Sequence, residues 1–203
     1  MDTEHKVIVA IDFETANYGL ESACALSMVR IVDGQENMVL DIGCGTGISI
    51  AIMDQEAKKA YGIDTARTYL IRPPNRHFRF TYIHGIRWDD VQDSPTFTEL
   101  FYDISEFMKG ADYLLAHNAS FDRKVLKSCC DYWDLEFPEI PFLCTLKGCR
   151  RGLSLRKNSL DCVCSHLNIP LKHHDAASDA LAAAKIFLHL RELGLSYADM
   201  RVK

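Results

Sequence analysis

Residues 7–15 read VIVAIDFET, an apolar run followed by two acids one residue apart. Five consecutive apolar residues, four of them β-branched, predict a central strand that is buried on both faces. Successive side chains of a strand point to opposite faces, so Asp12 and Glu14 share one face of the sheet. Neighbouring carboxylates repel each other, and a divalent cation such as Mg2+ or Mn2+ relieves that repulsion. The strand end is therefore a candidate metal site, with a solvated strand end as the alternative.

The composition is that of an ordinary folded chain. Of 203 residues, 48% are hydrophobic and 25% charged, which excludes disordered and collagen-like proteins and fits one domain or a domain with an insertion. The net charge of -5 argues against coating of nucleic acid through bulk electrostatics and leaves a local basic patch open. Neither a membrane-length apolar run nor a secretory signal is present, so we expect a cytoplasmic protein.

The cysteines match no common disulfide or metal-binding pattern. The chain has eight cysteines, and without a secretory signal we expect them to be reduced. Four of them could gather a zinc ion, although their spacing matches no common zinc knuckle: Cys144, Cys149, Cys162 and Cys164. Buried thiols are the better interpretation.

The remaining pattern alternates strands with helices. Further strands are predicted at the following ranges: 24–32, 68–72 and 113–116. Apolar residues at helical spacing predict the following helices: 97–108, 121–133, 158–167 and 176–193. Strands come first and then alternate with helices, which predicts an α/β fold with a mixed sheet flanked by helices.

Two further segments place acids at predicted helix starts. In residues 114–122 (LLAHNASFD), a buried strand leads into a helix whose first turn carries Asp122. In residues 174–179 (HDAASD), His174 precedes a helix and Asp179 follows five residues later. This spacing leaves His174 on the loop outside the helix and turns Asp179 inward.

The motifs DFET, HNASFD and H-x4-D resemble, in order and spacing, those of the DEDDh-type 3′–5′ exonucleases, relatives of the proofreading subunit of bacterial replicative polymerase. The resemblance covers residues 7–33 and 66–193. It implies a ribonuclease H-like fold and the release of nucleoside monophosphates from DNA or RNA 3′ ends. The sequence leaves open the preference between DNA and RNA and any polymerase partner.

The resemblance also implies roles for single residues. Four carboxylates would hold two Mg2+ or Mn2+ ions: Asp12, Glu14, Asp122 and Asp179. His174 would be the general base that takes a proton from the attacking water. His173 is an alternative base by chemistry alone, and the five-residue spacing to Asp179 favours His174.

Five residues match the substrate pocket of that family: Thr15, Ala16, His84, Ile86 and Asn118. In the family, backbone at the first two positions approaches the terminal nucleotide, and the apolar residue after His84 packs on the last bases. Ordinary core packing is an equally good interpretation of Ile86.

A basic stretch at residues 143–160 contains no acid. It is a candidate contact for the phosphate backbone, with a solvated basic loop as the alternative. Its cationic residues are Lys147, Arg150, Arg151, Arg156 and Lys157.

Residues 39–47 (VLDIGCGTG) do not fit the pattern around them. With Asp64 further on, they resemble motif I of class I S-adenosylmethionine-dependent methyltransferases, where glycines admit the cofactor and the acid bonds the ribose. About 30 residues cannot complete such a domain, and we assign no cofactor-binding residue. We interpret residues 36–65 as an insertion between the second and third strands of one exonuclease domain, residues 1–203.

Two alternative functions follow from this segment. The first is a methyltransferase fragment that binds S-adenosylmethionine. The second is a catalytically silent nucleic-acid-binding module, in which the insertion has displaced Asp12 or Glu14.

Overall fold

The computed structural model describes residues 6–33 and 63–202. They form a five-stranded sheet with strand order β3-β2-β1-β4-β5. The strands are β1 (Lys6–Thr15), β2 (Ala23–Asp33), β3 (Ile63–Leu70), β4 (Tyr113–Ala116) and β5 (Phe142–Cys144). β2 pairs antiparallel with β1 and with β3, whereas β4 pairs parallel with β1 and with β5. The sheet is therefore mixed, and β1 lies at its centre.

Helices cover both faces of this sheet. In the described residues they are α1 (Thr81–His84), α2 (Trp88–Val91), α3 (Phe97–Met108), α4 (Ser120–Tyr132), α5 (Thr145–Gly152), α6 (Leu160–Leu167), α7 (Ala176–Glu192) and α8 (Tyr197–Met200). No helix in the described ranges has both the length and the apolar character that crossing a membrane requires.

The alternation of side chains along β1 divides the core into two layers. Val9, Ile11 and Phe13 pack with α3 and α4 on one face. Ile8 and Ala10 pack with α6 and α7 on the other face. Both layers are closed to water, which explains why β1 is a continuous apolar run rather than an alternating one. The predicted mixed sheet flanked by helices is confirmed.

The third strand lies earlier than predicted. It begins at Ile63 rather than residue 68 and ends at Leu70, because it pairs with β2 from Ile31–Ile63 to Ala25–Leu70. Its sequence, IDTARTYL, is not a continuous apolar run, so its start carries no strong sequence signal. β5, α1, α2, α5 and α8 were not predicted, since each has three to eight residues, too few to show a clear hydrophobic period.

The predicted insertion at 36–65 overlaps β3 in its last three residues. Residues 36–62 lie outside the described residues, so the methyltransferase-like segment stays a prediction, and of Asp64 only the backbone is described. The connection leaves and rejoins the sheet at the Lys6 end of β1, since Lys6 pairs with Asp33. At about 3.4 Å per residue, Asp12 and Glu14 lie about 20 and 27 Å further along β1.

The described cysteines are free thiols. Cys144, Cys149 and Cys164 are buried, and burial raises the pKa of Cys149 to about 12 and that of Cys164 to about 11. Among the described residues, the groups that could hold a metal contain no cysteine. Cys162, the fourth cysteine of the zinc alternative, is half-buried. The buried-thiol interpretation thus fits three of these four cysteines.

We expect a variant with residues 34–62 replaced by a turn of about four residues to keep the fold, because β2 and β3 pair without them. The shorter connection lowers the entropy cost of closure, which stabilises the hairpin by roughly 1 to 2 kcal/mol. Circular dichroism would measure the secondary structure and the melting temperature. An unfolded variant would show that residues 34–62 are needed for folding.

Candidate active site

Three carboxylates meet beyond the apolar part of β1. Asp12 and Glu14 are half-buried and continue the face of Ile8 and Ala10, which α7 covers. Asp179 lies in the first turn of α7 and is buried. The ligand atoms of Asp12, Glu14 and Asp179 all lie within 4.8 Å of one another. The structure therefore brings together three of the four predicted metal ligands.

Asp122 approaches from the opposite side of the sheet. It lies in the first turn of α4, is 2% exposed, and its Oδ1 accepts a hydrogen bond from the Phe13 backbone N–H at 3.2 Å. Phe13 stands between Asp12 and Glu14, so this carboxyl reaches the same stretch of β1. Within the described residues it is not a member of the 4.8 Å group.

Burial and mutual repulsion hold these carboxyls toward their protonated forms. Burial, followed by the charges of Asp122, Asp179 and Glu14, raises the pKa of Asp12 well above its usual range. Burial and the charges of Asp179 and Asp122 raise the pKa of Glu14 to about 7. Burial raises the pKa of Asp122 to about 7 as well, although the Phe13 N–H opposes the shift. A cation among these groups would reverse the shifts by favouring the charged forms.

The donor set fits a divalent cation with a preference for oxygen. Burial also raises the pKa of Asp179, against the opposing effects of His173 and the His174 backbone N–H. Its Oδ1 is buried and has no hydrogen-bond partner among the described residues. A buried carboxylate oxygen without a donor is costly unless a ligand completes it. Asp12, Glu14 and Asp179 together therefore offer oxygen ligands of the type that Mg2+ and Mn2+ prefer.

The two neighbouring histidines differ in their contacts with Asp179. The Nδ1 of His173 lies 3.4 Å from Asp179 Oδ2, and the His174 backbone N–H donates to the same oxygen at 3.1 Å. The two rings stack with centroids 3.9 Å apart. Burial and then the charge of His173 lower the pKa of His174, while Asp179 opposes this shift. These two histidines and Asp179 form a second group whose ligand atoms lie within 4.8 Å.

His84, a predicted substrate-binding residue, hydrogen-bonds two other predicted substrate-binding residues, Thr15 and Ile86. Its Nδ1 lies 3.1 Å from the Ile86 backbone N–H, which must donate, so the ring proton is on Nε2 and bonds the Thr15 carbonyl at 3.2 Å. Burial lowers the pKa of His84, which favours this neutral form. His84 thus fastens the segment of Ile86 to the end of β1.

The remaining substrate candidates have distinct settings. Ile86 is half-exposed and belongs to neither apolar cluster, so the interpretation as ordinary core is wrong. Ala16 is buried, and its carbonyl accepts hydrogen bonds from the backbone N–H groups of Arg79 and Phe80 at 2.7 and 3.1 Å. Asn118 is exposed at the turn before α4, with a φ of 68°.

Of the five cations of the basic stretch, two contact the region of the last helix and three are exposed without such a contact among the described residues. The Nζ of Lys147 donates to the Arg201 carbonyl at 2.7 Å, and Arg151 pairs with Asp199 at 2.6 Å. These two cations therefore stabilise the position of the α8 region. Three further cations of the stretch are exposed: Arg150, Arg156 and Lys157.

Two residues of the site were missed in the sequence. Asp175 caps α7 by accepting the Ser178 backbone N–H at 3.1 Å, and its charge raises the pKa of Asp12 and Glu14. An acid directly before a predicted helix is a capping signal that could have revealed it. His117 bonds the Thr145 hydroxyl, at 2.9 Å, and the Asn158 carbonyl, at 2.9 Å; no local sequence signal indicates such distant partners.

Comparison with known proteins agrees with this geometry. The exonuclease family (RNase T) matches residues 9–187. DNA polymerase III subunit epsilon of Buchnera aphidicola subsp. Schizaphis graminum is 32% identical over 113 residues, 52% of this chain and 48% of that protein. A DNA polymerase III of the PolC type from Caldanaerobacter subterraneus subsp. tengcongensis is 33% identical over 192 residues, 86% of this chain and 13% of that protein. The chain thus spans about half or less of the length of these curated relatives.

Solved structures share the fold. The nuclease domain of 3′hExo, a DEDDh family member bound to rAMP, superposes with a TM-score of 0.72 at 16% identity and covers 100% of this chain and 98% of that one. Exonuclease X in complex with 5′ overhanging duplex DNA gives a TM-score of 0.62 at 21% identity, over 95% and 96% of the two chains. The chain belongs to the exonuclease family, and its predicted ribonuclease H-like fold is confirmed.

We expect Glu14→Gln to stabilise the metal-free protein at pH 8 by roughly 1 to 3 kcal/mol. In the folded state the pKa of Glu14 is about 7, whereas its ordinary value is 4.5. The glutamate therefore costs stability progressively as pH rises from about 4.5 to 7, and the gain from the amide shrinks as pH falls through this window.

Urea unfolding in EDTA at pH 5 and pH 8 would measure this difference. Glu139→Gln, which removes an exposed acid, is the matched control. If Glu14→Gln raised the free energy of unfolding equally at both pH values, the expected cost of burying the charged Glu14 carboxylate would be contradicted.

Proposed function

We propose that this chain is a metal-dependent 3′–5′ exonuclease of the DEDDh type that releases nucleoside monophosphates from DNA or RNA 3′ ends. The convergence of Asp12, Glu14 and Asp179 within 4.8 Å is the observation that carries the proposal. Family membership supports the reaction class. Two inferences rest on the motifs and on this geometry: that hydrolysis proceeds from the 3′ end, and that the substrate is DNA or RNA.

The acids and the histidine have separate tasks in the proposed reaction. Asp12, Glu14 and Asp179, with Asp122 beside them, would hold two Mg2+ or Mn2+ ions, which when bound activate water and stabilise charge on phosphate oxygens. His174 takes the proton of the water whose oxygen attacks phosphorus. The bond from phosphorus to the 3′ oxygen breaks, and solvent protonates that oxygen. A pKa below the ordinary value keeps His174 neutral and able to accept the proton.

The contacts of the two histidines support His174 as the base. His173 faces Asp179 through its Nδ1, whereas the ring nitrogens of His174 make no hydrogen bond within the described residues. The φ of 63° at His174 places it on a left-handed turn just before Asp175 and α7. This ring is thus held close to Asp179 by its backbone and keeps its nitrogens available.

The geometry does not favour the silent-module alternative. Asp12 and Glu14 pair with Ser27 and Ala25 of β2, and the register shifts only between Glu14 and Thr15, which supports an undisplaced position for both acids. The choice between Mg2+ and Mn2+, a polymerase partner and a cytoplasmic location stay predictions from the sequence.

Hydrolysis of 5′-labelled single-stranded DNA and RNA in Mg2+, Mn2+ or EDTA would test the proposal. We expect a metal-dependent ladder that shortens from the 3′ end. A folded protein that leaves both substrates intact in either metal would overturn the proposal. Endonucleolytic fragments without a ladder would overturn the exonuclease assignment.

We expect Asp179→Asn to lower kcat by roughly three orders of magnitude, because it removes charge that holds the cation. The amide keeps the size of the side chain, and circular dichroism would check that the fold survives. Glu139→Gln is again the matched control for loss of one negative charge. If Asp179→Asn turned over at nearly the wild-type rate, Asp179 would not be a ligand of the catalytic metal.

We expect His174→Asn to lower kcat by about 10² to 10⁴ with little change in metal affinity, since it removes the base. Asparagine tolerates the left-handed backbone at this position, so the loop should keep its shape. His173→Asn is the matched comparison and should lose less. A larger loss in His173→Asn would instead assign the base to His173.

A further inference from the structure

Two histidine rings stack face to face beside Asp179. The ring centroids of His173 and His174 lie 3.9 Å apart, and the ring planes meet at 21°. Both side chains are exposed. Consecutive side chains point to opposite faces of a strand, and in a helix they do not face each other. A stack between neighbours in the sequence therefore needs an unusual backbone.

The backbone that allows this stack is a four-residue turn. The Asp175 N–H donates to the Lys172 carbonyl at 3.2 Å, so the two histidines are the central residues of the turn. His174 has a φ of 63°, whereas the φ of His173 is not positive. This is the pattern of type II turns, whose third residue is most often glycine or asparagine. A histidine held there is strained, and such strain persists only where the surrounding structure determines the conformation.

Hydrogen bonds anchor this turn to the start of α7. The Lys172 N–H donates to the Ser178 hydroxyl at 2.8 Å, and the Ser178 N–H donates to Asp175 Oδ1 at 3.1 Å. The His174 N–H donates to Asp179 Oδ2 at 3.1 Å. These bonds fix the backbone of the turn, but they do not restrict rotation about the side-chain bonds of His174.

The stack restricts that rotation. The ring nitrogens of His174 make no hydrogen bond within the described residues, and an exposed side chain without contacts changes rotamer within picoseconds to nanoseconds. The His173 ring covers one face of the His174 ring. His173 is itself directed by its Nδ1, which lies 3.4 Å from Asp179 Oδ2. Turning the His174 ring away from its observed orientation therefore breaks the stacking contact.

We propose that His173 is a positioning residue whose ring holds the His174 ring in the orientation from which it takes a proton from water. The proposal rests on the proposed function, in which His174 is the base. It requires a flat ring at position 173 and does not require the ring nitrogens. A base held in one orientation is more often within reach of the proton, so the effect falls on kcat and not on KM.

Three replacements of His173 separate stacking from hydrogen bonding. His173→Phe keeps a flat ring and removes the nitrogens, His173→Gln keeps a polar group and removes the ring, and His173→Ala removes both. The φ of His173 is not positive, so none of these replacements strains the backbone. His166→Ala, which removes an exposed histidine from α6, is the matched control. Circular dichroism would check the fold of each variant.

Steady-state hydrolysis of a short 5′-labelled single-stranded DNA in Mg2+ gives kcat and KM. His173→Ala and His173→Gln should each lower kcat about 5- to 20-fold, with KM and the half-saturating Mg2+ concentration within about twofold of wild type. His173→Phe should keep kcat within about threefold of wild type. In a His174→Asn background, His173→Ala should lower kcat no further, because the ring that it holds is gone.

Proton NMR of the metal-free protein in EDTA reports the stack without turnover. The Hε1 resonance of His174, identified by its loss in His174→Asn, is displaced by the ring current of the neighbouring ring. In His173→Ala and His173→Gln it should move toward the position of a free histidine. In His173→Phe it should stay displaced.

The same variants can overturn the proposal. If His173→Gln kept kcat while His173→Phe lost it, the contact with Asp179 and not the stack would be responsible. Changes no larger than in His166→Ala, or a further loss of kcat in the His174→Asn background, would also overturn it. A wild type without turnover overturns the proposed function, whereas a wild type whose kcat does not depend on position 173 overturns the positioning role alone.

Discussion

Electrostatic repulsion among buried carboxylates is the constraint on which this structure depends. The ligand atoms of Asp12, Glu14 and Asp179 lie within 4.8 Å of one another. Burial is the largest cause that raises the pKa of Asp12 and of Glu14, and the charge of Asp179 adds to both shifts. Without a cation, such groups favour protonation at neutral pH and reduce stability. The large apolar layers on both faces of β1 offset this cost and hold the acids in place.

The positions of two of the acids at helix starts reduce that cost. Asp122 and Asp179 occupy the first turns of α4 and α7, where the positive end of the helix dipole favours negative charge. Backbone N–H groups of Phe13 and His174 bond one oxygen of each. β1 contributes the other two acids from the centre of the sheet. Ligands from three elements in different layers can therefore converge only when the whole domain has folded.

Sequence reasoning recovered the parts that are encoded locally. The VIVAI run, the DFET pair and the helix starts around Asp122 and Asp179 carry short-range signals, and the strands and helices around them were predicted closely. β3 was misplaced because its partner strand, and not its own sequence pattern, determines where it begins. His117 was missed because its hydrogen-bond partners, the Thr145 hydroxyl and the Asn158 carbonyl, are distant in the sequence.

The direction of β1 is compatible with the predicted insertion between β2 and β3. The acids lie toward the Thr15 end, where β2 begins, whereas β2 reaches Asp33 beside Lys6. The ladder from Ala25–Leu70 to Ile31–Ile63 fixes the relation of β2 to β3 before the connection starts. Additional residues there need not alter the register of Asp12 or Glu14, since six paired positions of β2 lie between the partner of Asp12 and the connection, and eight between the partner of Glu14 and the connection. The pairing of β1 with β2 therefore does not depend on the length of chain between β2 and β3.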